Sequence, residues 1–104
     1  MELENARRAR SEGNEGRARV CARRAAGAAA RDFLTRRGVR MRTASAYDAL
    51  RMLEQFPGLA PDLKSAASRL TARVTEEFAL PFEADLIAEA ETLIAGLGKE
   101  ASTS

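Results

Sequence analysis

EGNEGRARVCARRAAGAAARDFLTRRG, residues 12–38, decides the fold. The Gly13-Asn14-Glu15-Gly16 cluster breaks a helix at one end and Gly38 stops one at the other, so the spacing between them predicts a single long helix over 17–37. Ala18, Ala22, Ala25, Ala26, Ala29 and Phe33 recur at steps that place them on one face. Arg17, Arg24 and Arg31 recur on the opposite face. Such small side chains let a neighbouring helix come close. Arg36 and Arg37 sit where a helix dipole ends negative, and Gly38 suits the left-handed residue that follows a last turn.

Four further helices are read outward from this one. A short one over 2–12 carries Leu3, Ala6 and Ala9 on one side and Arg7, Arg8 and Arg10 around the other. A third starts at Thr43-Ala44-Ser45, where Ser45 followed by Asp48 resembles a capping box with aspartate in place of glutamate. Its apolar stripe is Ala46, Ala49, Leu50, Leu53 and Phe56, and Pro57-Gly58 ends it. Pro61-Asp62 opens a fourth, whose face of Leu63, Ala66, Ala67, Leu70 and Val74 extends towards Phe78. Phe78-Ala79-Leu80-Pro81-Phe82 is apolar but interrupted by proline, and reads as a loop closing one end. The fifth covers 83–97, with Leu86, Ile87, Ala90, Leu93, Ile94 and Leu97 inward, and Gly96 and Gly98 terminating it. No segment alternates with the period of a strand. An all-α, four- to five-helix up-and-down bundle follows, with one domain over 1–98 and a flexible tail over 99–104.

Composition narrows the function. A chain of 104 residues supports one core and not two. One cysteine excludes an internal disulfide, and with no histidine present no recognisable zinc site is left. No apolar run approaches the roughly 18 residues of a spanning helix, and the acid-containing N-terminus suits neither a secretory signal nor a transit peptide. A cytoplasmic protein is expected.

The net charge of +2 conceals an asymmetry. Residues 1–42 hold twelve arginines against five acids, whereas residues 43–104 hold five bases against ten acids. Either two helical layers attract each other or the basic half presents a phosphate-binding face; the first is favoured because the acidic half weakens the field at a distance.

Candidate chemistries are few. Cys21 lies mid-helix beside Val20 and Ala22, where a buried, inert thiol is the favoured state. Glu76-Glu77 and the group Glu83, Asp85, Glu89 and Glu91 read as solvated acidic faces, because no histidine joins them. The Gly13–Gly16 turn has neither the lysine nor the spacing of a phosphate loop. No catalytic or metal-binding residue and no cofactor is expected. Arginines remain: Arg17, Arg24 and Arg31, with Arg23 and Arg37 on a flank, can grip phosphates or carboxylates through the two-pronged guanidinium.

The stretches from Glu12 through Leu34, YDALRMLEQF and LPFEADLIAEAETLIAGL together resemble a small HEPN domain, the nucleotide-binding domain of higher eukaryotes and prokaryotes. The most similar piece is Ala22-Arg23-Arg24-Ala25-Ala26 through Phe33-Leu34, with Gly27-Ala28 standing where many members carry an acidic-basic pair. The resemblance implies a helical bundle that dimerises and is paired with a nucleotidyltransferase-like partner of the toxin–antitoxin type. Catalytic members are ribonucleases in which an arginine is followed by a histidine. Arg73 stands at such an arginine's place, but no histidine follows it, so the imidazole suited to proton transfer near neutrality is missing. The expectation is a non-catalytic HEPN-like interaction module, homodimeric and bound to a protein partner. The alternative is RNA or nucleotide binding by Arg17, Arg23, Arg24, Arg31, Arg37 and Arg73.

Overall fold

A computed structural model describes residues 2–72 and 85–102. These form an all-helical bundle of α1 (Glu2–Ser11), α2 (Glu15–Arg36), α3 (Ala46–Glu54), α4 (Pro61–Leu70) and α5 (Leu86–Ser102). The expectations placed on Arg73, Val74, Glu76, Glu77, the segment 78–82 and Glu83 lie outside the described residues.

Local chemistry sets the helix ends. Asn14 Oδ1 accepts the Arg17 amide at 3.1 Å, so α2 starts two residues earlier than its glycines suggest, with Glu15 in a first turn that favours an anion. Gly13 and Gly38 adopt φ of +80° and +83°, and each closes a helix with paired amide-to-carbonyl bonds. For α2 these run from Val39 N to Leu34 O at 2.9 Å and from Gly38 N to Thr35 O at 3.1 Å. At α3, Ser45 Oγ accepts the Asp48 amide at 3.2 Å, which is half of a capping box. Aspartate is one methylene shorter than glutamate. Its carboxylate accepts instead from the Thr43 hydroxyl at 3.0 Å, and Thr43 Oγ1 accepts the Ser45 amide at 3.0 Å.

The long α2 lies at the centre, with α1, α3 and α5 packed around it. Its small residues are the reason. Ala18, Ala22, Ala26 and Ala30 are fully buried, with Cys21, Phe33 and Leu34 beside them, while Ala25 and Ala29 are half-buried at the margin. The seam of small side chains is therefore used inside the subunit. Gly27 marks the closest approach: a Cβ there would lie 2.7 Å from Ala46 Cα at the start of α3. Residues 37–45 bring the chain back alongside α2, and α3 then runs from Gly27 towards the C-terminal turns, where the Phe33 and Phe56 rings meet edge-on at 5.5 Å.

Two expectations about helix length are corrected. α4 ends at Leu70 with Thr71 as its cap, although the apolar spacing continues to Val74. The Arg23 guanidinium takes the Leu70 and Ala72 carbonyl oxygens at 2.7 and 2.9 Å, and Thr71 Oγ1 donates to Ser68 O at 2.9 Å. At the other end α5 continues through Ser102, so residues 99–102 are helix and not tail. Gly96 is an interior contact seated against the Leu63 side chain of α4, and Arg37 Nη2 donates to Glu100 O at 3.1 Å.

Ion pairs join the two oppositely charged halves. Arg10 at the end of α1 donates to Glu15 at 2.6 Å and to Asp85 at 2.8 Å, tying together the ends of α1, α2 and α5. Hydrogen bonding to Glu15 and then Asp85 raises the Arg10 pKa. The Arg10 hydrogen bond first, and the Ala88 amide after it, hold the Asp85 carboxyl below the usual value against the opposing effect of burial. Asp85 also caps α5 through the Ile87 amide at 3.1 Å. Arg7 pairs with Glu91, and Arg69 with Glu89, both at 3.3 Å. Attraction between the halves, through Arg10–Asp85 and Arg7–Glu91, thus accounts for part of the charge asymmetry, while Arg69–Glu89 joins α4 to α5 within the acidic half; all three acids are paired rather than a free cluster.

Candidate binding groove

The outward ridge of α2 meets the first turn of α3 in a groove of about 530 Å³ lined by Val20, Arg23, Arg24, Gly27, Ala28, Arg31, Ala44, Ala46 and Tyr47. Its floor is shallow-walled because the residues beneath it are glycine and alanine. At its rim stand Val20, 43% exposed, and Tyr47, 39% exposed, the large apolar side chains left open to solvent among the described residues. A valine and a tyrosine in water beside a concavity form a surface suited to burial.

Three of the six arginines singled out from sequence come together here, each in a different state. Arg23 is half-buried and its guanidinium holds the end of α4, as described above. Burial first, then the charge of Arg19, lowers its pKa, though a guanidinium stays protonated throughout the useful pH range. Arg31 donates to the Thr43 carbonyl oxygen and so fastens the returning segment to α2. Arg24, one turn from each of Val20 and Ala28, is exposed and makes no hydrogen bond or ion pair with any described residue. Among the described residues its whole fork is unspent.

Two of the other three are elsewhere. Arg17 is exposed on the turn of α2 before Val20, outside the lining. Arg37 lies near the far end of α2, with its guanidinium carbon 4.7 Å from the centre of the Phe33 ring, a cation–π contact that supports the meeting of α2 with α5. Arg73 lies outside the described residues.

No known family model, curated protein or solved structure matches this chain. The groove therefore has to be read from its own chemistry.

That chemistry is cationic and apolar together, since no carboxylate lines it among the described residues. Among the described residues no three of Cys, Asp and Glu converge as a metal site would need, and no helix is long and apolar enough to cross a membrane. Cys21 is 3% exposed in the core and faces no groove. Sequence reasoning found the arginines of the groove and missed Val20 and Tyr47. Both carry a readable signal: Val20 stands on the Arg17–Arg24 ridge, and Tyr47 falls outside the apolar stripe of α3.

Proposed function

We propose that this chain is a non-catalytic binding module that docks a segment of a protein partner in the α2–α3 groove. The observation that carries this reading is the exposed pair Val20 and Tyr47 flanking an uncommitted Arg24. Tyrosine and arginine beside a small apolar pocket are the residue types that dominate binding energy at protein interfaces. The HEPN-like resemblance belongs to the same proposal, because a module of that kind in a toxin–antitoxin-type pair has a nucleotidyltransferase-like protein as its natural partner.

Binding of RNA by the arginine face is the weaker reading. Of the candidate arginines, Arg23, Arg31 and Arg37 each donate to a main-chain carbonyl and Arg17 stands outside the groove, and Tyr47 is a single ring where single-stranded nucleic acid needs several. A symmetric dimer through this face is disfavoured as well, because two-fold pairing sets the Arg24 ridge of one copy against that of the other.

A photo-crosslinking amino acid placed at position 47, and as control at Ser65 on the exposed side of α4, tests the proposal in the native cell. The expected result is one protein species joined through position 47 and absent from the control. Crosslinks to RNA, to a second copy of the chain, or to nothing at position 47 would overturn it.

A further inference from the structure

Resting on that docking function, we infer that the occupant of the groove is an acidic amphipathic helix, which sets a carboxylate on Arg24 and an apolar side chain between Val20 and Tyr47. Charge supplies the first argument. Among the described residues three guanidinium groups and no carboxylate line the groove, so covering it with a neutral or basic segment would strip water from Arg24 and return nothing. An acidic side chain turns that cost into a two-pronged, charge-assisted bond.

Backbone accounting supplies the second. A segment docking as an added strand needs a sheet edge to pair its amides and carbonyls, and the described residues contain no strand. A helix satisfies its own backbone and presents only side chains. Spacing supplies the third. Val20, Arg24 and Ala28 form a ridge of four-residue steps, and Arg31, which spends Nη2 on Thr43 O and keeps its other guanidinium donors, lies two turns from Arg24, about 10 Å along the axis. Acids two turns apart on the incoming helix match that separation. With alanine and glycine beneath, the floor accepts a leucine-sized side chain between the two charges.

Two blocked peptides of about four turns serve as probes, one with a leucine stripe flanked by glutamates and its twin with lysines in their place. Each is titrated into the isotopically labelled chain while amide resonances are followed. The acidic peptide should shift Val20, Arg24, Ala28 and Tyr47 and bind at least about tenfold more tightly than the lysine twin. Arg24→Glu, at an exposed position that the fold does not use, should reverse the preference between the twins. Equal binding of both twins, unaffected by Arg24→Glu but abolished by Val20→Asp, would overturn the acidic occupant while leaving the docking function in place. Failure of both peptides, with a single-stranded RNA shifting the same amides, would overturn both. Shifts that grow with protein concentration alone would put a second copy in the groove and likewise contradict the inference.

Discussion

Replacing Gly27 by alanine tests the packing that shapes the groove. In an ordinary helix this change stabilises by about 0.5–1 kcal/mol, because glycine loses more freedom on folding. Here the new carbon would lie 2.5 Å from Ala46 Cβ and 2.7 Å from Ala46 Cα, roughly an ångström inside the usual carbon contact of about 3.5–4.0 Å. One of those atoms is backbone and cannot rotate away, so the first turn of α3 has to move. Overpacking of this kind costs about 1–3 kcal/mol, and subtracting the helix gain leaves a net loss of about 1–2 kcal/mol. For a domain of this size the melting temperature should fall by roughly 5–15 °C. Gly98→Ala is the control, since a Cβ there meets nothing within 4 Å, and it should raise stability. Thermal unfolding followed by circular dichroism reads both. A Gly27→Ala protein as stable as the parent, or more so, would refute the close approach of α2 and α3.

Other perturbations probe the remaining contacts. Arg23→Met removes the charged donors to Leu70 O and Ala72 O and should cost about 2–3 kcal/mol in urea unfolding, whereas Arg24→Met should stay within about 0.5 kcal/mol. Asp85→Asn keeps an α5 cap but loses the pair with Arg10. Because the folded Asp85 pKa is depressed, its contribution is complete above the unfolded value of about 4 and is lost as pH falls through the folded value. The variant should therefore trail the parent at pH 7, by under about 1 kcal/mol for so exposed a pair, and converge with it towards acid, as urea titrations at several pH values will show. Cys21 should react with a thiol reagent only as fast as the bundle opens, giving a rate that rises steeply with denaturant; fast labelling of the native protein would contradict its burial.

The helix boundaries governed by local chemistry were legible in the sequence. Gly13, Gly38, Pro57-Gly58 and Pro61 punctuate the chain where the structure does, and Ala18, Ala22, Ala26 and Phe33 point inward as their spacing says. What escaped was tertiary. Nothing within α4 signals that an arginine forty-seven residues away holds its last carbonyls, and nothing within α5 tells a packed Gly96 from a terminating one. The same holds for the site. The arginines announced themselves by charge and period, but which of them bind the chain's own backbone depends on where residues 37–45 and the end of α4 come to lie. Among the groove's arginines only Arg24 has a fork unspent on described residues, and only the fold brings Tyr47 into the same groove.

Amide hydrogen exchange of the full chain, alone and joined to the partner captured through position 47, bears most directly on the central claim that the inner face of α2 builds the fold while its outer ridge binds. Slowing confined to residues 20–31 and 44–47 is the result expected. Unchanged exchange there, with slowing on the far faces of α4 or α5, would contradict it.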